Sequence, residues 1–149
     1  MKSSLLYEQD ILLWVEDTVA KLKARDFDNL DLENLIEEVE SLGISQRKEL
    51  TSRLMVILEH LLKRLYVNSP YDFNGWERTI RTQRNDLELL LEDAPSLKTL
   101  WDESFDKAWK FALRTVREEY PQVNFPTQWP YSRQVAAMLN DRFWENLED

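Results

Sequence analysis

Apolar residues recur three and four positions apart along six stretches of this chain, and that spacing constrains its fold more than any other feature. It gathers leucine, isoleucine, valine and tryptophan side chains on one stripe of an α-helix. A strand would alternate apolar and polar residues instead, and an all-β fold would need many more turn residues than the two glycines present. The pattern therefore predicts an all-α protein.

The six predicted helices cover residues 6–25, 32–42, 45–67, 74–91, 97–119 and 132–143. Gly43 is expected to end the second helix, and Asn74 with Glu77 to cap the start of the fourth. The third helix is apolar on more than one stripe, so it should lie at the centre. Residues expected to face inward in the first two helices are Ile11, Trp14, Val15, Thr18, Val19, Leu22, Leu32, Leu35, Ile36, Val39 and Leu42.

The chain length and the content of apolar residues predict one folded domain over residues 1–149. Apolar residues make up 43% of the 149 positions, which is enough to build a single hydrophobic core. No repeat, low-complexity tract or linker divides the sequence. We expect a single compact bundle of about six helices.

The absence of cysteine and the presence of one histidine exclude several site chemistries. Disulfides, thiolate catalysis, cysteine zinc sites and histidine-rich metal sites all need residues that are missing. No glycine-rich phosphate loop or other cofactor motif occurs, so we expect neither a metal nor a cofactor. No apolar run approaches the ~20 residues of a membrane span, and Met1-Lys2-Ser3-Ser4 does not begin a signal peptide. These features predict a cytoplasmic protein with no membrane partner.

The charge balance bears on possible partners. The net charge is −9, and lysine and arginine are scattered among acidic residues. Nucleic-acid binding relies on a basic patch, so nucleic acid is disfavoured as a partner. An acidic surface is compatible with a protein partner or with a homo-oligomer.

A set of short strings, in order along the chain, resembles the bacterial family known as Domain of Unknown Function 29, best known from cyanobacteria. The strings are Leu-Tyr-Glu-Gln-Asp at 6–10, Leu-Ile-Glu-Glu-Val-Glu-Ser-Leu-Gly at 35–43, His-Leu-Leu-Lys at 60–63, Trp-Glu-Arg-Thr-Ile at 76–80, Pro-Ser-Leu at 95–97, and Phe-Pro followed by Pro-Tyr-Ser. The resemblance implies a compact helical protein without an established activity. Where the family typically has Cys-Pro-Tyr, this chain has Trp129-Pro130-Tyr131, so a cysteine function there would be missing.

Polar residues on or beside apolar helix faces form the predicted site. Glu37 and Glu40 lie about 60° apart on one helix flank, and Arg53 and His60 share a flank of the next. Gln83, with Arg84 beside it, falls where an apolar residue is expected. Because a buried polar group needs a partner, we predict that Glu37 or Glu40 meets Arg53, His60 or Arg84 in one polar cluster.

Two functions from different classes follow. The first is a non-catalytic protein-interaction domain with an acidic surface, in which Trp129 and Trp144 are candidate exposed aromatics. The second is a metal-independent ribonuclease, in which Arg53 stabilises the phosphorane charge and His60 transfers a proton. A partly buried histidine with a structural partner is the commoner outcome of such a pattern, so a non-enzymatic role is favoured.

Overall fold

The computed structural model describes residues 3–147, and the side chains of residues 5–145, as an all-helical chain. Helices account for 81% of these residues and no strand occurs among them, which confirms the all-α prediction. The α-helices are α1 (Ser3–Gln9), α2 (Ile11–Lys23), α3 (Leu32–Tyr66), α4 (Pro70–Asp93), α5 (Trp101–Glu119) and α6 (Val135–Asn140). Short 3-10 helices span Phe27–Asn29, Pro95–Leu100 and Phe143–Leu147.

Backbone contacts divide the chain into two compact units. The first unit is Met1–Ser45 and the second is Gln46–Asp149, so the boundary falls within α3. That the chain forms one domain stays a prediction.

The core of the second unit is built around the C-terminal half of α3. Its residues with 0% exposure are Leu50, Leu54, Ile57, Leu58, Leu61 and Leu62. Burying six branched side chains on several faces of one helix requires neighbours on several sides. Residues of α4, α5 and α6 supply them, which confirms the central position predicted for the third helix.

An aromatic cluster fixes the segment between α5 and α6 in the second unit. The Trp129 ring lies 6.0 Å from Trp109, 5.3 Å from Tyr131 and 5.2 Å from Phe143. Trp144 is only 7% exposed. The expectation that Trp129 and Trp144 are exposed is therefore wrong for Trp144, while Trp129 is half-buried within the cluster.

Helix boundaries differ from the sequence prediction in several places, and the last predicted helix, 132–143, is shortened to Val135–Asn140. The first predicted helix is broken at Asp10, whose carboxylate accepts a hydrogen bond from the Leu13 N–H and caps α2. Gly43 does not end a helix, because the surrounding residues are good helix formers and an interior glycine costs only about 1 kcal/mol. The fourth helix begins at Pro70, one turn before the predicted cap, since proline is preorganised for a first helical turn.

The first unit has a small interior. Among its described side chains, only Trp14 and Thr18 are buried. The Trp14 ring lies 5.0 Å from Tyr7 in an edge contact, and its indole N–H donates to Asp31 at 3.3 Å. Arg25 ends α2 with a positive φ of 60°, and the N–H groups of Arg25 and Asp26 close the helix on the carbonyls of Leu22 and Lys21.

Candidate functional site

Arg53 and Gln83 meet across the interface of α3 and α4. The Arg53 guanidinium donates to Gln83 Oε1 at 3.0 Å and to Glu49 Oε1 at 3.2 Å, and it lies 3.2 Å from Asp86 Oδ2. Gln83, on the apolar face of α4, is thus paired with the charged Arg53 from α3. Two carboxylates and an amide occupy Arg53, so its charge is largely compensated before any ligand arrives.

His60 lies one helical turn after its hydrogen-bonding partner on α3. Its Nδ1 is 2.8 Å from the Val56 carbonyl oxygen, which can only accept, so Nδ1 carries the proton. Burial is the main cause that lowers the pKa of His60, and the nearby Lys63 adds to it. The imidazole is therefore neutral at pH 7, with Nε2 as its basic atom.

Arg53 and His60 are separated by about 10 Å along the helix axis, since seven residues rise 1.5 Å each. Both groups would have to reach one phosphorane, with Arg53 at its non-bridging oxygens and His60 at the attacking or leaving oxygen. The ribonuclease hypothesis rests on the spacing of these residues in the sequence, and the contacts of Arg53 do not add to it.

Arg84 is 9% exposed and contacts the end of α6. Its Nε donates to the Met138 carbonyl and its Nη2 to the Asp141 carbonyl, each at 2.7 Å. Burial lowers the pKa of Arg84 to about 10, which still leaves the guanidinium charged at neutral pH. A charged donor at the C-terminus of a helix satisfies carbonyls that have no helical partner, so Arg84 has a structural role.

Glu37 and Glu40 belong to the first unit, whereas Arg53, His60 and Arg84 belong to the second. The predicted contact between these two groups stays a prediction. Within the first unit, the glutamate of this stretch that contacts α1 is Glu38, whose carboxylate accepts a hydrogen bond from the hydroxyl of Tyr7. That hydrogen bond raises the pKa of Tyr7 to about 12.

The first unit exposes apolar side chains that the sequence pattern predicted to be buried. Twelve of the fourteen large hydrophobic side chains that are exposed in the described chain lie between Leu5 and Ile44. In α2 the exposed side chains include Ile11, Val15 and Val19. The prediction that these residues face inward is wrong, because Trp14 and Thr18 on a neighbouring face take the interior.

The first part of α3 likewise exposes apolar residues that were predicted to be buried. Leu32, Ile36, Val39 and Leu42 are 54%, 55%, 59% and 66% exposed, which corrects their predicted burial. These four residues are here called the α3 ridge. The face of α3 that contacts the rest of the unit includes the half-buried Leu35. Beside it, Asp31 at the start of the helix accepts a hydrogen bond from Trp14, and Glu38 accepts one from Tyr7. These hydrogen bonds, together with Leu35, determine which face points inward.

The sequence contains a polar pattern that corresponds to this inward-facing side of α3. The polar residues Asp31, Asn34 and Glu38 recur at helical spacing, as the apolar residues do. Two competing stripes on one helix leave the inward face undecided, and only the indole N–H of Trp14 and the hydroxyl of Tyr7 select the polar one.

Carboxylates border the α3 ridge. By helical geometry, Glu33 and Glu40 lie about 95–115° to one side of the centre of the ridge and Glu38 lies about 105° to the other side, whereas Glu37 is about 155° away on the nearly opposite face. The first 45 residues hold eleven Asp and Glu against four Lys and Arg, so they carry −7 of the net charge of −9. The ridge is thus an apolar strip in a strongly negative setting.

The described chain contains neither a group of metal-ligating side chains nor a membrane-spanning helix. Within residues 3–147, no three His, Asp or Glu side chains are grouped to hold a metal ion. None of the helices described combines the length and the apolar character needed to cross a membrane.

Fold and site together define an all-α protein whose first unit presents an apolar, acid-bordered surface. Within that class, the chain belongs to the family described as Domain of unknown function DUF29, which matches residues 6–144. The match includes the α3 ridge and the helices of the second unit. Comparison with curated proteins and with solved structures gives no match.

Proposed function

We propose that this protein is a non-catalytic protein-interaction domain whose α3 ridge binds a basic amphipathic helix of a partner. The observation that carries the proposal is the exposure of four apolar side chains at consecutive helical positions. Exposed contiguous apolar surface is unfavourable in water and marks interaction sites in soluble proteins.

The length and shape of the ridge favour a helical partner. From Leu32 to Leu42 the ridge extends about 15 Å, or nearly three helical turns. A partner helix with apolar residues at positions i, i+3, i+4 and i+7 would fit its side chains between those of the ridge. Burying each aliphatic side chain would contribute about 1.5–3 kcal/mol before the cost of association.

The charge of the first unit selects a basic partner over a second copy of this chain. Two copies meeting at the ridge would bring two sets of carboxylates together, and like charges in contact oppose association. Lysine and arginine beside the apolar residues of a partner would instead face Glu33 and Glu40. Such complementary charges speed encounter and fix orientation.

Titration calorimetry with designed peptides tests this proposal. The probe is a 14-residue leucine–lysine peptide with leucine at helical spacing, compared with a peptide of the same composition in scrambled order and with a leucine–glutamate peptide. We expect binding of the first peptide only, weakening as salt rises.

Substitutions locate the site of binding. The triple variant Ile36→Gln, Val39→Gln, Leu42→Gln keeps good helix formers and should weaken binding at least about tenfold. The matched control is Leu89→Gln, which removes a leucine that is 59% exposed on α4 and should leave binding unchanged. Equal binding of the ordered and scrambled peptides, or an equal effect of both variants, would refute the proposal.

A further inference from the structure

A cleft in the second unit has a charge opposite to that of the protein as a whole. It encloses about 400 Å³, and its walls come from α3, the 3-10 helix at Pro95–Leu100 and α5. Arg47, Lys48 and Lys107 line it, with Glu103 as the single carboxylate. The lining therefore carries a net charge of +2 in a chain whose net charge is −9.

Within the described residues, the three cations of the cleft have no carboxylate partner. Other cations of the second unit, such as Arg53, Lys63 and Arg64, are paired with carboxylates. Among residues 3–147, Arg47, Lys48 and Lys107 form no ion pair. Lys107 follows Glu103 by one helical turn, the favourable order for an ion pair, and even this pair is not formed within the described chain.

Ser104 adds a hydroxyl to the polar part of the lining. The residue is 8% exposed and lines the cleft. Its hydroxyl makes no hydrogen bond within the part of the chain that the structure describes, and its oxygen is not among the fully buried atoms without a partner, so water in the cleft reaches it. A bound molecule that displaces this water can accept a hydrogen bond from the hydroxyl.

The remaining walls are apolar. Met55, Leu100 and Phe111 line the same cleft beside the cations. Small-molecule sites commonly combine an apolar lining with a few polar groups that fix orientation, in volumes of about 300–1,000 Å³. This cleft has both parts and lies within that range of volume.

We propose that the cleft binds a small phosphate monoester with an aromatic or aliphatic body. A phosphate monoester carries a charge of about −1.5 to −2 at pH 7, which matches the net charge of the lining. Arg47, Lys48 and Lys107 would hold the phosphate oxygens, with Ser104 donating a hydrogen bond, and Met55 and Phe111 would contact the body. The proposal involves binding and no bond cleavage, and it shares no residue with the α3 ridge.

Calorimetric titration of the full chain with 1-naphthyl phosphate tests the site, with inorganic phosphate and 1-naphthol as comparison probes. We expect the ester to bind more tightly than either fragment, because only the ester engages both the cations and the apolar wall. Equal affinity for the ester and for inorganic phosphate would overturn the proposal, as would no binding of the ester.

Charge variants identify the residues. Arg47→Gln with Lys107→Gln should lower the affinity for 1-naphthyl phosphate by about tenfold or more, as two charge contacts are lost. Glu103→Gln should raise it, since a repulsive carboxylate is removed from the cleft. The matched control Arg78→Gln removes an exposed arginine of α4 outside the cleft and should have no effect. Unchanged affinity in the double variant, or a loss of the same size in the control, would place the ester elsewhere and refute the site.

Discussion

Arg53 and Arg84 show that the same residue type is held in two different ways in the second unit. Arg53 is paired with carboxylates and an amide, whereas Arg84 donates to two backbone carbonyls. Both arrangements use the planar, multiply donating guanidinium, which a lysine could not reproduce. At the scale of single residues, Arg53 and Arg84 therefore stabilise contacts between helices of the second unit.

The pH dependence of stability is expected to reflect His60. Burial lowers its pKa in the folded chain below the ordinary value of 6.5. Between these two pKa values the unfolded chain binds a proton that the folded chain does not, so stability is complete above pH 6.5 and is lost as the pH falls towards the folded pKa. Urea unfolding at pH 7.5 and 5.5 should show a smaller loss of unfolding free energy for His60→Gln than for the unsubstituted protein.

The control for this experiment is the range from pH 7.5 to 8.5, where the imidazole is neutral in both states and the two proteins should change in parallel. Parallel behaviour down to pH 5.5 as well would contradict the lowered pKa of His60.

Among the described helices, α3 has the most side chains with 0% exposure, six in all. Leu61 lies in its C-terminal half with 0% exposure. Leu61→Ala should lower the unfolding free energy by about 2–5 kcal/mol, because a cavity remains where the side chain was removed. Chemical denaturation measures the change, with Leu89→Ala on the exposed face of α4 as the control, for which less than about 0.5 kcal/mol is expected. A loss below about 1 kcal/mol for Leu61→Ala would contradict its central position.

The difference between the two parts of α3 explains how much the sequence could predict. From Leu50 to Leu62 apolar residues lie on several faces, so burial follows from the hydrophobic effect alone and the prediction is confirmed. From Leu32 to Leu42 an apolar stripe competes with a polar one, and the outcome depends on hydrogen bonds to Tyr7 and Trp14 from other helices. Periodicity within one helix contains no information about such partners.

The contacts of the candidate sites could be predicted from the sequence to different degrees. That Gln83 has a partner could be anticipated because a polar residue on an apolar face needs one, but the sequence pattern does not identify Arg53 as that partner. The cleft at Arg47 and Lys107 could not, since these cations are 60 positions apart in the sequence and look like ordinary surface charges.

For the molecule as a whole, the burial of side chains predicts that the backbone amides of the first unit are less protected from hydrogen exchange than those of the second. Its described interior holds Trp14 and Thr18, while the second unit contains the large apolar clusters. Hydrogen exchange should therefore be at least about tenfold faster for amides of residues 35–45 than for those of residues 50–62, although both segments belong to α3. This comparison within one helix is its own control, and uniform protection along α3 would contradict the prediction.

The position of Trp14 gives the protein a built-in spectroscopic label. It is the one tryptophan in residues 1–45, and the other five follow residue 75. If the chain is produced with fluorinated tryptophan, a single ¹⁹F resonance reports on the first unit, and its chemical shift depends on the neighbouring Tyr7 ring and the hydrogen bond to Asp31. Trp101, whose neighbours Leu100 and Asp102 flank it at the start of α5, reports near the cleft. A peptide on the α3 ridge and a phosphate ester in the cleft can thus be followed in the same sample through separate resonances.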